Sequence, residues 1–321
     1  MGVVQSADYI VIGGGSAGII VAARLSEDPN TTVVLIEAGG EARSPIVQIP
    51  AGFAYMVGRR KFDWMYQQDP DASINGASRI WSNGRLLGGG SSINGQVYIR
   101  GTRRDFDRWV EAGATGWGFD DVWPYFLRNE SWQGRPSSAH GTDGPVTVTT
   151  VADGDPLANG FLAACAEIGI PTVAEHNGGD MHGAFLAQTN QRKGWRCSTE
   201  KAYLRPARSR SNLTVITRVR VERLGVVKGR AAFVEFRRGK LSFRIEASEE
   251  VVLSAGAIGS PALLLRSGIG PADELKKAGI PVVIDKCQVG KNLQEHYHVG
   301  LVREVHRPTS SLIPRSCASA I

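Results

Sequence analysis

Long apolar runs are missing from this sequence: none of its 321 residues belongs to a stretch approaching membrane-spanning length. The residues ahead of the first apolar segment do not form a secretory leader. A cytoplasmic protein, touching a membrane at most at its periphery, is therefore expected. Cysteine is scarce. Cys165, Cys197, Cys287 and Cys317 have neither metal-ligand spacing nor a paired framework, which suits a reduced compartment and excludes a disulfide scaffold. A basic bank is also lacking. The 37 Lys and Arg exceed the 31 Asp and Glu by only six, and they are scattered. Nucleic acid is excluded as an expected partner; a mild preference for anionic ligands remains. There are no internal repeats.

Glycine, by contrast, is abundant and clustered. Gly84-Arg85-Leu86-Leu87-Gly88-Gly89-Gly90-Ser91-Ser92-Ile93-Asn94-Gly95 holds five glycines in twelve positions. Glycine weakens ordinary helices and strands, so this density implies backbone pressed against something large and anionic. A second cluster opens the chain. Tyr9–Ile12 reads as a buried parallel strand, followed by Gly13-Gly14-Gly15-Ser16-Ala17-Gly18, a helix through Leu25, and a strand from Thr32 to Ile36. Gly13, Gly15 and Gly18 suit a tight turn, close approach of a pyrophosphate, and helix–strand packing. The phosphates would then meet free N–H groups at the helix start. Glu37 lies nineteen residues beyond Gly18, at the end of the second strand. There a carboxylate can accept hydrogen bonds from a ribose diol and repel a 2′-phosphate, which argues against NADP.

The remaining pattern is α/β. Residues 39–84 read mostly as a long, ligand-linked loop. Helices are expected from Thr102 to Ala112, Val122 to Asn129 (with Pro124 in the first turn), Pro156 to Ile168 and Ser260 to Arg266. Strands are expected at 146–151, 213–216, 219–224, 231–236 and 241–247, with Gly239 in a tight turn. Glu250–Ser254 leads into Ala255-Gly256.

Four ordered segments carry a resemblance: Gly13–Gly18 with Glu37-Ala38-Gly39; Gly84–Gly95 running on to Gly101; Gly256–Gly270; and Val289–His296. Together they resemble the glucose-methanol-choline (GMC) oxidoreductase family, in its choline dehydrogenase-like branch. The resemblance implies a Rossmann-like FAD-binding sheet with an added β element and a partial substrate-domain segment. It assigns the FAD domain to 1–155 and 207–304, and the substrate segment to 156–206. Gly13, Gly15, Ser16, Ala17 and Gly18 would hold the pyrophosphate, and Glu37 the adenosine ribose. Arg85, Gly88, Gly89 and Ser92 would follow the pyrophosphate and ribityl chain. Asn94, Gly95, Gln96 and Val97 would lie against the isoalloxazine. Val221 would meet the adenine, with Ala255 close by. Some members attach FAD through a histidine at the position of Ile93; isoleucine cannot form that bond, so non-covalent FAD is expected.

The implied activity is oxidation of a small-molecule alcohol to an aldehyde, with hydride passing to flavin N5 and electrons to an acceptor, quinone or oxygen. The base that removes the hydroxyl proton is, in the family, a histidine far toward the C-terminus. None of His140, His176, His182, His296, His298 and His306 matches it. No catalytic residue is assigned, and no metal is expected. From about Val305 the resemblance fails, and 305–321 reads as an atypical tail of a truncated or frame-shifted product. Two rivals stay open: a catalytically incompetent FAD-binding fragment, and an NAD-dependent dehydrogenase using only the first fingerprint.

Overall fold

In the computed structural model, residues 4–151, 156–179, 181–238 and 240–296 are described. The expectations for Gly239, His298, His306 and the tail lie outside them. The chain forms two compact units. One is built from residues up to 96 and from 192 to 294, the other around 97–191.

The first unit is organised by a six-stranded sheet. Strands β1 (Ser6–Ile12) and β2 (Val33–Ile36) flank helix α1 (Ser16–Leu25) in sequence; the other strands are β3 (Leu213–Ile216), β4 (Val221–Val227), β5 (Arg230–Arg238) and β6 (Leu241–Leu253). The spatial order is β3-β2-β1-β6-β5-β4. β3, β2, β1 and β6 run parallel; β6, β5 and β4 are antiparallel. The parallel strands are apolar because both faces are covered: Ile10, Val11, Leu35 and Ile36 are all buried. Each such side chain contributes about 1.5–3 kcal/mol through burial. The core continues through Val221, Leu224, Val234, Phe236, Ile245, Ala247 and Leu263, tying the antiparallel strands to helix α2 (Gly256–Arg266).

β6 joins the two halves of the sheet. Phe243 and Ile245 face Phe236 and Val234 across an antiparallel pairing. Further along the same strand, Val251 and Leu253 face Ile10 and Ile12 in parallel. The sequence pattern suggested two segments here, 241–247 and 250–254; they are one strand of thirteen residues. Two helices also begin earlier than expected. The helix expected from Val122 spans Phe119–Asn129, and α2, expected from Ser260, starts at Gly256. Pro124 therefore lies inside its helix rather than in the first turn, and Pro261 is likewise internal. The earlier start at Phe119 is supported by Asp121, whose Oδ2 accepts the Gly118 N–H at 2.9 Å.

The second unit holds a four-stranded sheet in the spatial order Val97–Tyr98, Gln188–Thr189, Val146–Thr150, Glu130–Trp132. Its helices are Arg103–Glu111, Phe119–Asn129 and Pro156–Glu167. Asp105 closes a capping box on Thr102, accepting the Thr102 N–H at 2.8 Å. The sheet explains why the contact boundaries at 96/97 and 191/192 differ from those expected at 155/156 and 206/207: Gln188–Thr189 bonds both Val97–Tyr98 and Val146–Thr150. Glu130, in the last strand of this sheet, anchors a polar network. Arg100 Nη2 donates to Glu130 at 2.7 Å, His140 Nδ1 meets the same carboxylate at 3.0 Å, and His140 Nε2 meets Glu175 at 2.5 Å.

Candidate cofactor site

The site grows from the turn after β1. The Gly13 N–H donates to the Ile36 carbonyl at 2.8 Å, so the chain leaves β1 still bonded to β2. It then bends through Gly13 at φ +100°. A Cβ on Gly13 would lie 2.4 Å from the Ser254 carbonyl oxygen, and one on Gly18 would lie 1.9 Å from the Gly13 oxygen. Both positions are glycine because protein backbone fills the space. Gly15 differs: a Cβ there would meet nothing within 4 Å. Gly15 also caps α1, whose start has no side-chain cap and no acid in its first turn. Unpartnered N–H groups at a helix start favour an anion.

Gly15, Ser16 and Ala17 open onto a cavity of about 550 Å³. Glu37 stands on the opposite strand end, 6% exposed. Its Oε2 accepts the Gly14 N–H and its Oε1 the Gly39 N–H, both at 2.7 Å. Burial pushes its carboxyl above the usual range, against those N–H donors and the nearby Arg85 charge, which pull it down. Trp64 and Tyr66 form another wall, their rings stacked at 5.5 Å. Asp63 sets that wall. It is buried and accepts from the N–H groups of Gly58, Met65 and Asn83 and from the Ser82 hydroxyl. Burial raises its pKa, but the four donors outweigh burial and hold it below the ordinary carboxylate value. Val219, Arg220, Val221, Ala255 and Arg266 complete the far side. Burial lowers the Arg266 pKa, and the neighbouring Arg220 charge lowers it further.

The second glycine cluster packs on the first. The Gly88 N–H donates to the Gly14 carbonyl at 2.8 Å, and a Cβ on Gly89 would lie 2.8 Å from the Gly15 Cα. Much of the close approach read from this cluster is thus protein against protein. Gly89 and Gly90 reach the cavity wall.

Of the residues singled out from sequence, Gly13, Gly15, Ser16, Ala17, Glu37, Gly89, Val221 and Ala255 line one cavity. Gly18 serves the packing behind it. Arg85 does not line it; its guanidinium lies 5.0 Å from the Trp64 ring centre, on the aromatic wall. Gly88, bonded to Gly14, lies just before the cavity-lining Gly89, and Ser92, Asn94, Gly95 and Gln96 lie further along the glycine segment, all outside the cavity lining. The Ser92 hydroxyl is fully buried and donates to the Leu87 carbonyl at 2.8 Å. Val97 opens the second unit and is 54% exposed. Sequence reasoning missed Trp64, Tyr66, Asn83, Arg220 and Arg266. The aromatic, Asp-rich character of 39–84 was the available signal for the first three. Among the described residues no histidine lines the cavity. Among the described residues there is no cluster of side chains that could hold a metal, and no helix long and apolar enough to cross a membrane.

A parallel sheet with a glycine turn, an uncapped helix start and a carboxylate at the next strand end is the arrangement with which α/β proteins bind dinucleotides. The chain belongs to the GMC oxidoreductase family, whose model matches residues 7–298. It is 40% identical over 306 residues to a protein of Rhizobium etli named oxygen-dependent choline dehydrogenase, covering 95% of this chain and 56% of that one. A Rhizobium meliloti protein of the same name is 40% identical over the same span. Among solved structures, pyridoxine 4-oxidase from Mesorbium loti superposes with a TM-score of 0.83 at 40% identity, over 87% of this chain and 55% of that one. A formate oxidase of Aspergillus oryzae gives 0.81 at 27% identity, over 90% and 52%. The chain thus spans about half the length of the relatives it matches.

Proposed function

We propose that this chain is the FAD-binding part of an oxidoreductase that converts a small-molecule alcohol to an aldehyde. The observation that carries the reading is Gly15: it lines the cavity beside an uncapped helix start, and no described protein atom within 4 Å of a Cβ there requires it to lack one. A pyrophosphate over Ser16 and Ala17 supplies that requirement. Glu37 then accepts from the adenosine ribose, and Val219 and Val221 lie beside the adenine. Gly89 and Gly90 continue along the cofactor toward Asn94, Gly95, Gln96 and Val97. Arg85, through the Trp64 wall, and Arg220 and Arg266 add positive charge where the ligand carries negative charge. FAD, when bound, supplies the hydride acceptor at N5. The chain's own residues bind and orient it; with isoleucine at position 93, the bond to it is non-covalent. Electrons leave to oxygen or a quinone.

A second reading is favoured by the make-up of the cavity lining, which among the described residues includes Glu37 and Tyr66 but no histidine. On that reading this chain binds FAD without turnover, because no described group at the cavity takes the hydroxyl proton. One preparation separates the readings. The purified chain is expected to carry the absorption of oxidised flavin, released completely into the supernatant on acid precipitation. Anaerobic bleaching by choline, pyridoxine or another alcohol supports turnover; a bound flavin that no alcohol bleaches supports the fragment. A chain that takes up NAD and no flavin overturns both.

A further inference from the structure

A buried cation lies beneath the second glycine segment. Arg196 is 1% exposed. Its Nε donates to the Val47 carbonyl at 3.0 Å. Its Nη1 donates to the carbonyls of Ser91 and Asn94 at 3.2 and 2.8 Å, and to Asn94 Oδ1 at 2.9 Å. Its Nη2 is buried with no partner. Burial without a counter-charge pulls its pKa down to about 10, which still leaves it a cation at neutral pH. An unneutralised buried ion is unfavourable, so packing alone does not account for it.

What it touches does. Ser91 and Asn94 belong to the helical turn Gly90–Ile93 and its C-terminal cap, where exposed carbonyls favour a cation. Just beyond, Gln96 adopts φ +66°, a region rare for residues other than glycine, and its Oε1 is buried without a partner. The Gln96 N–H donates to Asn94 Oδ1 at 3.1 Å, the same oxygen that accepts from Arg196. The guanidinium therefore holds the chain where it reverses. Thr199 holds the turn as well, its N–H donating to Ser91 Oγ at 3.1 Å. The other end of this turn, Gly89 and Gly90, lies on the cavity wall.

We propose that Arg196 is a positioning residue for the cofactor: from behind the glycine segment it fixes the turn Gly90–Ile93 and the reversal through Asn94–Gln96, so that the cavity-facing backbone is set before the cofactor arrives. This rests on FAD occupying the cavity. Preset backbone need not be ordered on binding, which strengthens association. Lysine keeps the charge and loses the fork that gathers several carbonyls.

The test titrates FAD into flavin-free wild type, Arg196→Met and Arg196→Lys, reading flavin fluorescence, with thermal unfolding recorded with and without FAD. Arg196→Met is expected to raise the dissociation constant at least tenfold, with Arg196→Lys in between. The rise in Tm on adding FAD is expected to shrink in both. A lower Tm of the free protein with an unchanged FAD-dependent rise would mean a structural role only, and would overturn the proposal. If Arg196→Met does not fold, Arg196→Lys and Asn94→Ala decide it: wild-type affinity in both overturns it. Wild type that binds no FAD overturns the cofactor reading and this inference with it.

Discussion

Gly15 and Gly18 stand three residues apart in one loop and answer to different neighbours. A Cβ on Gly18 would sit 1.9 Å from a backbone oxygen, whereas one on Gly15 would enter the cavity. Gly18→Ala is therefore expected to destabilise the folded chain by about 2–4 kcal/mol, since helix and strand cannot separate without disturbing the core. Gly15→Ala is expected to leave the stability of the flavin-free protein within about 1 kcal/mol, because its Cβ meets no described protein atom within 4 Å. It is expected to abolish flavin retention. Urea unfolding of the flavin-free proteins and the visible spectrum of each purified variant check the pair. Equal loss of stability in both would show that the Gly15 position is set by the protein. The fingerprint made all three glycines legible as a motif. It could not assign the Gly84–Gly95 cluster between ligand and protein, because Gly88 and Gly89 are pressed against Gly14 and Gly15, a contact across more than seventy residues.

At the scale of elements, the buried network of the second unit carries two histidines with opposite titration. Burial disfavours the His140 imidazolium, but the hydrogen bond and charge of Glu130, with those of Glu175, outweigh it and raise its pKa above 6.5. Its contribution to stability is complete below 6.5 and is lost as pH rises through the raised value. His176 is stacked on Phe185, and burial lowers its pKa below 6.5. Its neutral form is favoured by folding, so that contribution is present above 6.5 and is lost as pH falls through the lowered value. Stability of this unit is expected to peak near pH 6.5. Urea midpoints of wild type and His140→Gln across about pH 5 to about pH 9 check this. The gap between them should narrow toward alkaline pH; a constant gap would mean that His140 contributes by packing alone. Neither partner of His140 was visible in sequence, because Glu130 and Glu175 lie ten and thirty-five residues away. Local signals performed better. The capping box at Thr102–Asp105 and the alternation at Val146–Thr150 were both legible. Proline misled once. Pro124 was expected in the first turn, yet it is the sixth residue of its helix. The turn preceding it is supported instead by Asp121, whose carboxylate accepts the Gly118 N–H.

For the whole molecule, the decisive fact is that every residue lining the cavity belongs to the unit built from residues up to 96 and from 192 to 294. β1, β2 and β6 deliver the loops that hold it, and β6 carries the antiparallel half of the sheet on the same strand. A ligand that binds only the folded form stabilises it by RT ln(1 + [L]/Kd), about 2.7 kcal/mol at a hundredfold excess over Kd. That stabilisation belongs first to the element set that forms the cavity. Hydrogen exchange with and without FAD is expected to slow by up to about a hundredfold in Tyr9–Ile12, Val33–Ile36 and Val251–Leu253, at that same excess. Glu130–Trp132 and Val146–Thr150, strands of the other unit that do not pair with Val97–Tyr98, are expected to exchange at unchanged rates. Slowing confined to these last two strands would place the cofactor elsewhere. Slowing of equal size in both units would mean that they open as one, and that the contact boundaries at 96/97 and 191/192 are not boundaries of cooperativity.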